Sequence, residues 1–419
     1  MDRQLKKNIA SLTALQAGNY LVPLLILPHL TRVLGVSGFG QFGFATAFIA
    51  YFILLVDWGF NLSATRNIAI KRQDLTARSL IFWETMFARI ILTGISIFVL
   101  WILVEITPKL YVVSTLLWLG ILQIIGATLS TAFYYQGIEQ MGKMALINLS
   151  MRAISIPLII FLVTQPDQIL TAFAIQAGCF LLASSTNFLF LIKSGEIVPV
   201  LPKYAGIKQS LIESFPLFLS SAGTSLYTNS NIVILGFVST QVAVGYFAAA
   251  FTLVKAVVGL SGPVGQALFP RISYYLNTDG FSASAFLKKS LLLQALMGAV
   301  LSLTLLLCLP RAITWFYGPS FQSAIEVVGW LSPLPLIICI ASAIGQQTLV
   351  PLGKAKWFSS VLLFSGILNC GLLLPLGYQW GANGAAIAVL ITECIILFGM
   401  ALGLKRLEPR IWKLMVPFS

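Results

Sequence analysis

The sequence predicts an all-α protein that crosses a membrane about twelve times, and three observations lead to this prediction. Of the 419 residues, 58% are hydrophobic and only 9% are charged, whereas a soluble domain carries about 25% charged residues. The apolar residues form long continuous runs, and the basic residues gather at one side of those runs. So few charges cannot cover the surface of a soluble protein of this length, so the surrounding solvent is lipid.

The apolar runs have the length of membrane spans. A transmembrane helix needs about 20 apolar residues to cross ~30 Å of hydrocarbon. Runs of this kind, separated by charges and by Gly/Pro turns, predict spans at 9–34, 38–64, 80–104, 110–136, 144–164, 168–192, 210–236, 241–270, 284–308, 323–350, 357–376 and 381–404. Transmembrane β-barrels are excluded because their strands are short and alternate between apolar and polar residues.

The basic residues predict the orientation of these spans. With the N-terminus in the cytoplasm, the outer segments hold only Arg32, Lys109 and Arg311. The spans hold only Arg89 and Lys255, and the other basic residues, including Arg152, are assigned to cytoplasmic segments. This asymmetry follows the positive-inside rule and places both termini in the cytoplasm. It accounts for the net charge of +13, and no segment outside the membrane is long enough for a nucleic-acid-binding domain.

A weak internal repeat predicts the domain organisation. Segments 34–48 and 235–251 are similar, both lie at a predicted outer turn, and each precedes an arginine at an inner helix end, Arg66 or Arg271. Six helices in each half give a parallel repeat, related by an axis along the membrane normal. We therefore expect two six-helix lobes around a central cavity. The N-terminal lobe is 1–192, the cytoplasmic linker is 193–209, and the C-terminal lobe with a cytoplasmic tail is 210–419.

Charges inside the predicted spans are the first candidates for a functional site, because each costs ~2.5–3.5 kcal/mol at a helix centre and tends to face a water-filled interior. These residues are Asp57, Arg89, Lys255 and Glu393. One interpretation is two structural ion pairs, Asp57–Arg89 and Glu393–Lys255. The other is that Lys255 and Arg89 present positive charge to an anionic headgroup, while Asp57 and Glu393 act as gates or ion-coupling groups. The sequence leaves both open.

Three residues near helix ends are further candidates. Arg32 and Arg271 lie at opposite sides of the membrane, where each could contact phosphate during loading or release, or simply snorkel to the interface. His29, the only histidine, precedes Arg32 by one turn. Histidine suits a proton switch near neutral pH, although a packed interfacial role is the alternative. For contact with sugars the sequence offers several residues without ranking them: Tyr134, Tyr135, Gln136, Tyr227, Asn229 and Asn231.

The sequence lacks the motifs of several other chemistries. It contains no Walker A loop and no GxGxxG that opens a helix after a strand, which excludes an ATP-driven pump of the ordinary kind. Glycosyl transfer would need a suitable pair of Asp or Glu residues in a loop, and the sequence shows no such motif. We therefore expect a protein that is not an enzyme, without a metal or an organic cofactor.

Five segments of the sequence form a recognisable set: 19–23, 28–35, 39–40, 59–65 and, in the second half, 270–273 (Pro-Arg-Ile-Ser). Together these segments resemble Wzx-type O-antigen flippases. The similarity extends over essentially the whole chain. His29 departs from the pattern, where an aromatic tyrosine is expected, and Lys255 stands where related sequences carry arginine. These departures concern the roles of single residues more than the function.

The resemblance implies membership of the multidrug/oligosaccharidyl-lipid/polysaccharide exporter superfamily. It implies that undecaprenyl pyrophosphate carrying one O-antigen repeat unit moves from the cytoplasmic to the periplasmic leaflet of the bacterial inner membrane by alternating access. Membrane lipids and other O-antigen assembly proteins are the expected partners. Coupling to an H⁺ or Na⁺ gradient is a hypothesis motivated by Asp57, Glu393 and His29.

Alternatives from other classes are a drug/cation antiporter of the same superfamily, a membrane-embedded polysaccharide polymerase or ligase, and a lipid II type flippase. An antiporter for cations would favour an acidic cavity. A polymerase or ligase would carry a large outer loop with catalytic residues, whereas the longest outer segment here, about 309–322, is short. A lipid II type flippase would favour two additional helices.

Overall fold

A computed structural model describes residues 3–262, 264–265, 268–269, 271–273 and 280–415, and every regular element in these ranges is a helix. The first helices are α1 (Arg3–Asp57), α2 (Phe60–Ile70), α3 (Leu75–Ile106), α4 (Pro108–Tyr111), α5 (Ser114–Thr128), α6 (Ala132–Gly137), α7 (Met141–Leu162), α8 (Ile169–Lys193) and α9 (Tyr204–Thr228). The later ones are α10 (Ser230–Val238), α11 (Gln241–Gly259), α12 (Gly280–Tyr317), α13 (Ala324–Leu331), α14 (Leu334–Ile344), α15 (Ala355–Leu407) and α16 (Pro409–Met415).

The chain forms two compact units, Met1–Ser225 and Leu226–Ser419. The core of the first unit is an aromatic cluster in which α2, α3 and α6 meet. The ring of Phe82 lies 5.9 Å from that of Phe133 and 5.5 Å, edge to face, from that of Tyr134. Such ring pairs add about 0.5–1.5 kcal/mol each to the burial of their large apolar surfaces. The cluster thereby fixes these three helices at one point.

The segment after α8 and the beginning of α9 also pack on the first unit. The indole N–H of Trp83 in α3 donates to the carbonyl of Val198 at 3.0 Å. The hydroxyls of Ser63 in α2 and Ser214 in α9 lie 2.6 Å apart in the interior. Both segments therefore belong to the first unit by packing, while the lobe and linker boundaries expected from the repeat stay a prediction.

The second unit contains two buried polar pairings inside an apolar core. The side-chain amides of Gln294 in α12 and Gln347 donate to each other at 2.8 and 2.9 Å. Gln347 lies in a π-helical turn, Gly345–Leu349, which follows α14. The amide of Asn369 donates to Asn231 at 2.7 Å and accepts from the hydroxyl of Thr392 at 3.1 Å. Because buried polar groups need partners, these contacts fix how the helices pair.

The helices have the length and composition of membrane spans. Among the described residues, nine helical stretches are long and apolar enough to cross a membrane. Two of these stretches are interrupted. Leu24–Ile70 leaves helical geometry at Gly35 (φ 66°) and again at Trp58 and Gly59, so it contains three helical segments. Ala355–Leu407 leaves helical geometry at Gly381 (φ 54°) and contains two. Large apolar side chains are exposed along several spans, among them Phe98 and Trp101. The predicted all-α polytopic class is confirmed, whereas the count of twelve and the parallel repeat stay predictions.

Candidate functional site

A backbone break positions Asp57. Helix α1 ends at Asp57, and the next two residues, Trp58 (φ 44°) and Gly59 (φ 79°), adopt left-handed conformations before α2 begins. The positive φ favours glycine at position 59. Close packing requires it as well, since a Cβ at this position would lie 2.8 Å from the backbone nitrogen of Phe218 in α9. The indole N–H of Trp58 donates to the carbonyl of Leu211 at 3.0 Å. The break therefore holds Asp57 at a fixed helix end.

Asp57 and Arg89 form an ion pair in the interior of the first unit. The Nη2 atom of Arg89 lies 2.8 Å from Oδ1 of Asp57, and its Nη1 atom donates to the carbonyl of Ser130 at 2.6 Å. The guanidinium carbon lies 4.8 Å from the ring centroid of Phe133. The Arg89 side chain is 1% exposed and that of Asp57 is 25% exposed. For Asp57 and Arg89, the structure shows the ion pair of the first interpretation. The contact of Arg89 with an anionic headgroup stays a prediction. The geometry leaves almost none of the Arg89 side chain accessible for such a contact.

Lys255 and Glu393 do not form the second ion pair. The ion pairs within the described part of the chain are Arg72–Glu139, Arg78–Glu196, Asp57–Arg89 and Lys354–Glu408. Lys255 in α11 is exposed, and its ammonium lies 4.4 Å from the ring centroid of Phe251. Glu393 in α15 is 5% exposed and follows the hydrogen-bonded Thr392. Lys255 is thus an exposed cation and Glu393 a buried acid, both in the second unit.

The three candidates near helix ends occupy different environments. Nε2 of His29 lies 2.7 Å from the carbonyl oxygen of Val163, the residue after α7, so the ring joins α1 to the end of α7. Arg32, one turn later in α1, is exposed. Arg271 is also exposed, and its guanidinium carbon lies 5.7 Å from the ring centroid of Phe286. Their proposed contacts with phosphate, and the switching role of His29, stay predictions.

One intramembrane charge was assigned wrongly from the sequence. Arg152, placed on the cytoplasmic side above, lies at the midpoint of α7, Met141–Leu162, inside a candidate span. Its side chain is partly buried. The predicted span 144–164 already enclosed this position, so the depth of Arg152 within the apolar run was the signal that could have corrected the assignment.

Some of the residues considered for sugar contact lie inside their units. Tyr134 and Tyr135 are 0% and 4% exposed. The hydroxyl of Tyr134 donates to the backbone carbonyl of Glu196 at 2.5 Å, so this side chain anchors the segment after α8. Asn231 is 2% exposed, and its side-chain oxygen accepts a hydrogen bond from Asn369. These side chains contribute to packing and leave little surface for a ligand.

The helical spans, with charged residues inside them, define a multi-pass membrane protein. Residues 5–276 match the family described as "Polysaccharide biosynthesis protein", and the chain belongs to this family. A protein of Escherichia coli (strain K12) named "Putative O-antigen transporter" is 33% identical over 392 residues, 94% of each chain. A protein of Shigella dysenteriae with the same name is 29% identical over 405 residues, which cover 96% of this chain and 100% of that one.

Solved structures with much lower identity share the fold. "Lipid II flippase MurJ, inward closed conformation" superposes with a TM-score of 0.74 at 15% identity, covering 98% of this chain and 90% of that one. An inward-facing multidrug resistance MATE family transporter of the MOP superfamily gives a TM-score of 0.63 at 14% identity, covering 98% and 100%. These likenesses concern the fold alone. Together with the family match, they confirm the relationship expected from the sequence.

Proposed function

We propose that this protein is a flippase that moves undecaprenyl-pyrophosphate-linked O-antigen repeat units from the cytoplasmic to the periplasmic leaflet of the inner membrane. The observation that carries the proposal is the 33% identity, over 94% of both chains, with a relative named as an O-antigen transporter. In this proposal the chain works by alternating access, both termini lie in the cytoplasm, and the protein transports its substrate without altering it chemically.

The physical chemistry of the substrate supports a role for Lys255. A pyrophosphate bearing sugars cannot cross ~30 Å of hydrocarbon unaided, and a cation exposed inside a helical span lowers that barrier. Lys255 lies about 20 Å along α11 from Gln241; the residue before it, Val254, and Phe251, one turn before it, are both buried. Lysine acts on phosphate as a point charge on a flexible stem, which suits a ligand that must also be released.

Ion coupling is the second part of the proposal. Asp57 keeps a quarter of its side chain exposed beside Arg89, and Glu393 is a buried acid in the second unit. Intramembrane carboxylates of this kind are common elements of proton and sodium pathways. We expect transport to depend on an H⁺ or Na⁺ gradient, so transport that survives collapse of both gradients in proteoliposomes would contradict this part.

The test is complementation in a bacterial strain that lacks its own flippase and carries the matching O-antigen biosynthesis genes. Surface O-antigen on lipopolysaccharide is scored for wild type, Lys255→Ala and Lys255→Arg at equal membrane expression. Lys356→Ala serves as the matched control, because Lys356 is also exposed but lies in the first turn of α15. We expect wild type, Lys255→Arg and the control to restore O-antigen and Lys255→Ala to fail.

The outcomes separate the function from the site. If wild type restores O-antigen and Lys255→Ala does so equally, the flippase function stands and the role of Lys255 is wrong. If wild type fails with its matched sugar, the flippase proposal is contradicted. Efflux of cationic drugs would then be measured next, since the superfamily fold also serves a multidrug transporter.

A further inference from the structure

Arg152 lies in the middle of a candidate membrane span. It occupies the midpoint of α7, a helix of 22 residues, which is about 16 Å along the helix axis from either end. An arginine side chain does not span that distance to reach the interface. A charge at this depth therefore requires protein partners, water or an anionic ligand around it.

The side chain of Arg152 lies on the inward face of α7. Asn148, Arg152 and Ser155 follow one another at spacings of four and three residues, so they share one stripe of the helix. Asn148 accepts a hydrogen bond of 2.9 Å from Asn187 in α8, and Ser155 is 7% exposed. This stripe therefore faces the packed interior of the unit.

The opposite face of α7 carries the surface expected against lipid. Leu146, Ile154 and Phe161 are all exposed large apolar side chains. Because they occupy the other side of the helix, Arg152 is not simply an arginine directed at the bilayer. Its side chain is partly exposed on the polar stripe of α7.

No charged group among the described residues neutralises Arg152. Within the described part of the chain its guanidinium makes no ion pair and no side-chain hydrogen bond. Its backbone carbonyl is the group that accepts from Ser155, at 2.7 Å. Arg89 differs in each respect, since it is 1% exposed and bound to Asp57 and Ser130. Of these two mid-span arginines, Arg89 donates its hydrogen bonds to other protein groups. The guanidinium N–H groups of Arg152 make no such bond to described side chains and can donate to a ligand.

We propose that Arg152 binds a phosphate group of a membrane-embedded phosphate ester. The planar guanidinium fork matches two phosphate oxygens at once, and the low dielectric around a mid-span site strengthens the contact. The inference rests on the proposed function for its choice of ligand, which is the pyrophosphate of the polyprenyl-linked substrate. The second source of the same chemistry is the headgroup of an anionic membrane lipid.

Equilibrium binding to the full-length protein tests the proposal. Wild type, Arg152→Gln and Arg152→Lys are placed in phosphatidylcholine nanodiscs, and binding of radiolabelled undecaprenyl pyrophosphate is measured by scintillation proximity. Lys193→Gln is the matched control, because it removes one exposed positive charge from the last turn of α8 in the same unit. Loss of hydrogen bonds to a charged group predicts at least about tenfold weaker binding for Arg152→Gln. Arg152→Lys should lose less, and the control should remain within about twofold of wild type.

A second arm distinguishes the two sources of phosphate. The unfolding temperature of each protein is compared in phosphatidylcholine and phosphatidylglycerol nanodiscs. Arg152→Gln could bind undecaprenyl pyrophosphate as wild type does and yet lose the rise in unfolding temperature that phosphatidylglycerol gives wild type. In that case the phosphate site belongs to a membrane lipid, and its assignment to the substrate is overturned. If wild type and Arg152→Gln bind undecaprenyl pyrophosphate equally and respond equally to both lipids, the Arg152 inference is overturned while the proposed flippase is untouched.

The same design separates failure of the proposed function. Wild type that does not bind undecaprenyl pyrophosphate counts against the flippase, and the lipid arm alone then decides whether Arg152 is a phosphate site. If the Arg152 variants do not fold, modification by phenylglyoxal is followed on wild type by peptide mass spectrometry. Saturating undecaprenyl pyrophosphate should slow modification of Arg152. An unchanged rate overturns the inference.

Discussion

Removing Asp57 should destabilise the first unit because it leaves the Arg89 guanidinium in the interior without a counter-charge. Breaking a buried ion pair by deleting one partner costs about 3–5 kcal/mol. Asp57 keeps 25% of its side chain exposed, so water can enter and partly replace it, and we expect ~2–4 kcal/mol for Asp57→Ala. Arg89→Met should cost a similar amount, since it also removes the hydrogen bond to Ser130.

The assay is a double-mutant cycle on the unfolding free energy in mixed micelles, followed by tryptophan fluorescence. Trp58 is adjacent to Asp57 and packs at 4.3 Å against the ring of Phe218, so it reports on this region. The double variant should be less destabilised than the sum of the singles by at least ~1 kcal/mol. Additive effects, or an Asp57→Ala variant within ~0.5 kcal/mol of wild type, would refute the ion-pair reasoning.

Three further predictions concern packing. Gly59→Ala should lower the unfolding free energy by more than ~2 kcal/mol, because of its positive φ and a Cβ 2.8 Å from the backbone of Phe218; a neutral effect in the same titration would contradict the close approach. Gln294→Leu should lower the unfolding free energy by ~1–3 kcal/mol, because it leaves the amide of Gln347 without a hydrogen-bond partner. The double variant Gln294→Leu with Gln347→Leu should recover most of this loss, and a double variant as unstable as the sum of the singles would contradict the pairing of the two amides. Glu393→Gln should leave the unfolding temperature unchanged or raise it, since no ion pair within the described residues stabilises this carboxylate. A clearly lower unfolding temperature would contradict this reasoning and show that the carboxylate charge stabilises the fold.

The class of fold was predictable because lipid imposes a simple rule on composition and run length. The predicted spans also divide at 34–38 and at 376–381, and the chain leaves helical geometry there, at Gly35 inside α1 and at Gly381 inside α15. Each glycine replaces a loop, so no polar segment marks the turn in the sequence.

The site was predictable only in part, because hydropathy gives the depth of a residue but not its direction. Asp57 and Arg89 were recognised as a possible pair from depth alone, and they are paired. The same argument failed for Lys255 and Glu393, whose side chains do not meet. Arg152 was missed because it was grouped with the basic residues of the loop before α7, although it lies at the midpoint of that helix. A helical wheel of α7 would have shown it on the stripe of Asn148.

The packing of α9 on the first unit has a consequence for the order in which the chain is made. Trp58 and Ser63 find their partners at Leu211 and Ser214, which leave the ribosome only after α8 has been completed. At ~5–20 residues per second, Trp58 and Ser63 wait roughly 8–30 seconds for these partners. A nascent chain halted near 192 would therefore expose an unfinished surface to the insertion machinery, and one halted near 225 would not. Expression of the N-terminal half by itself should accordingly include most of α9.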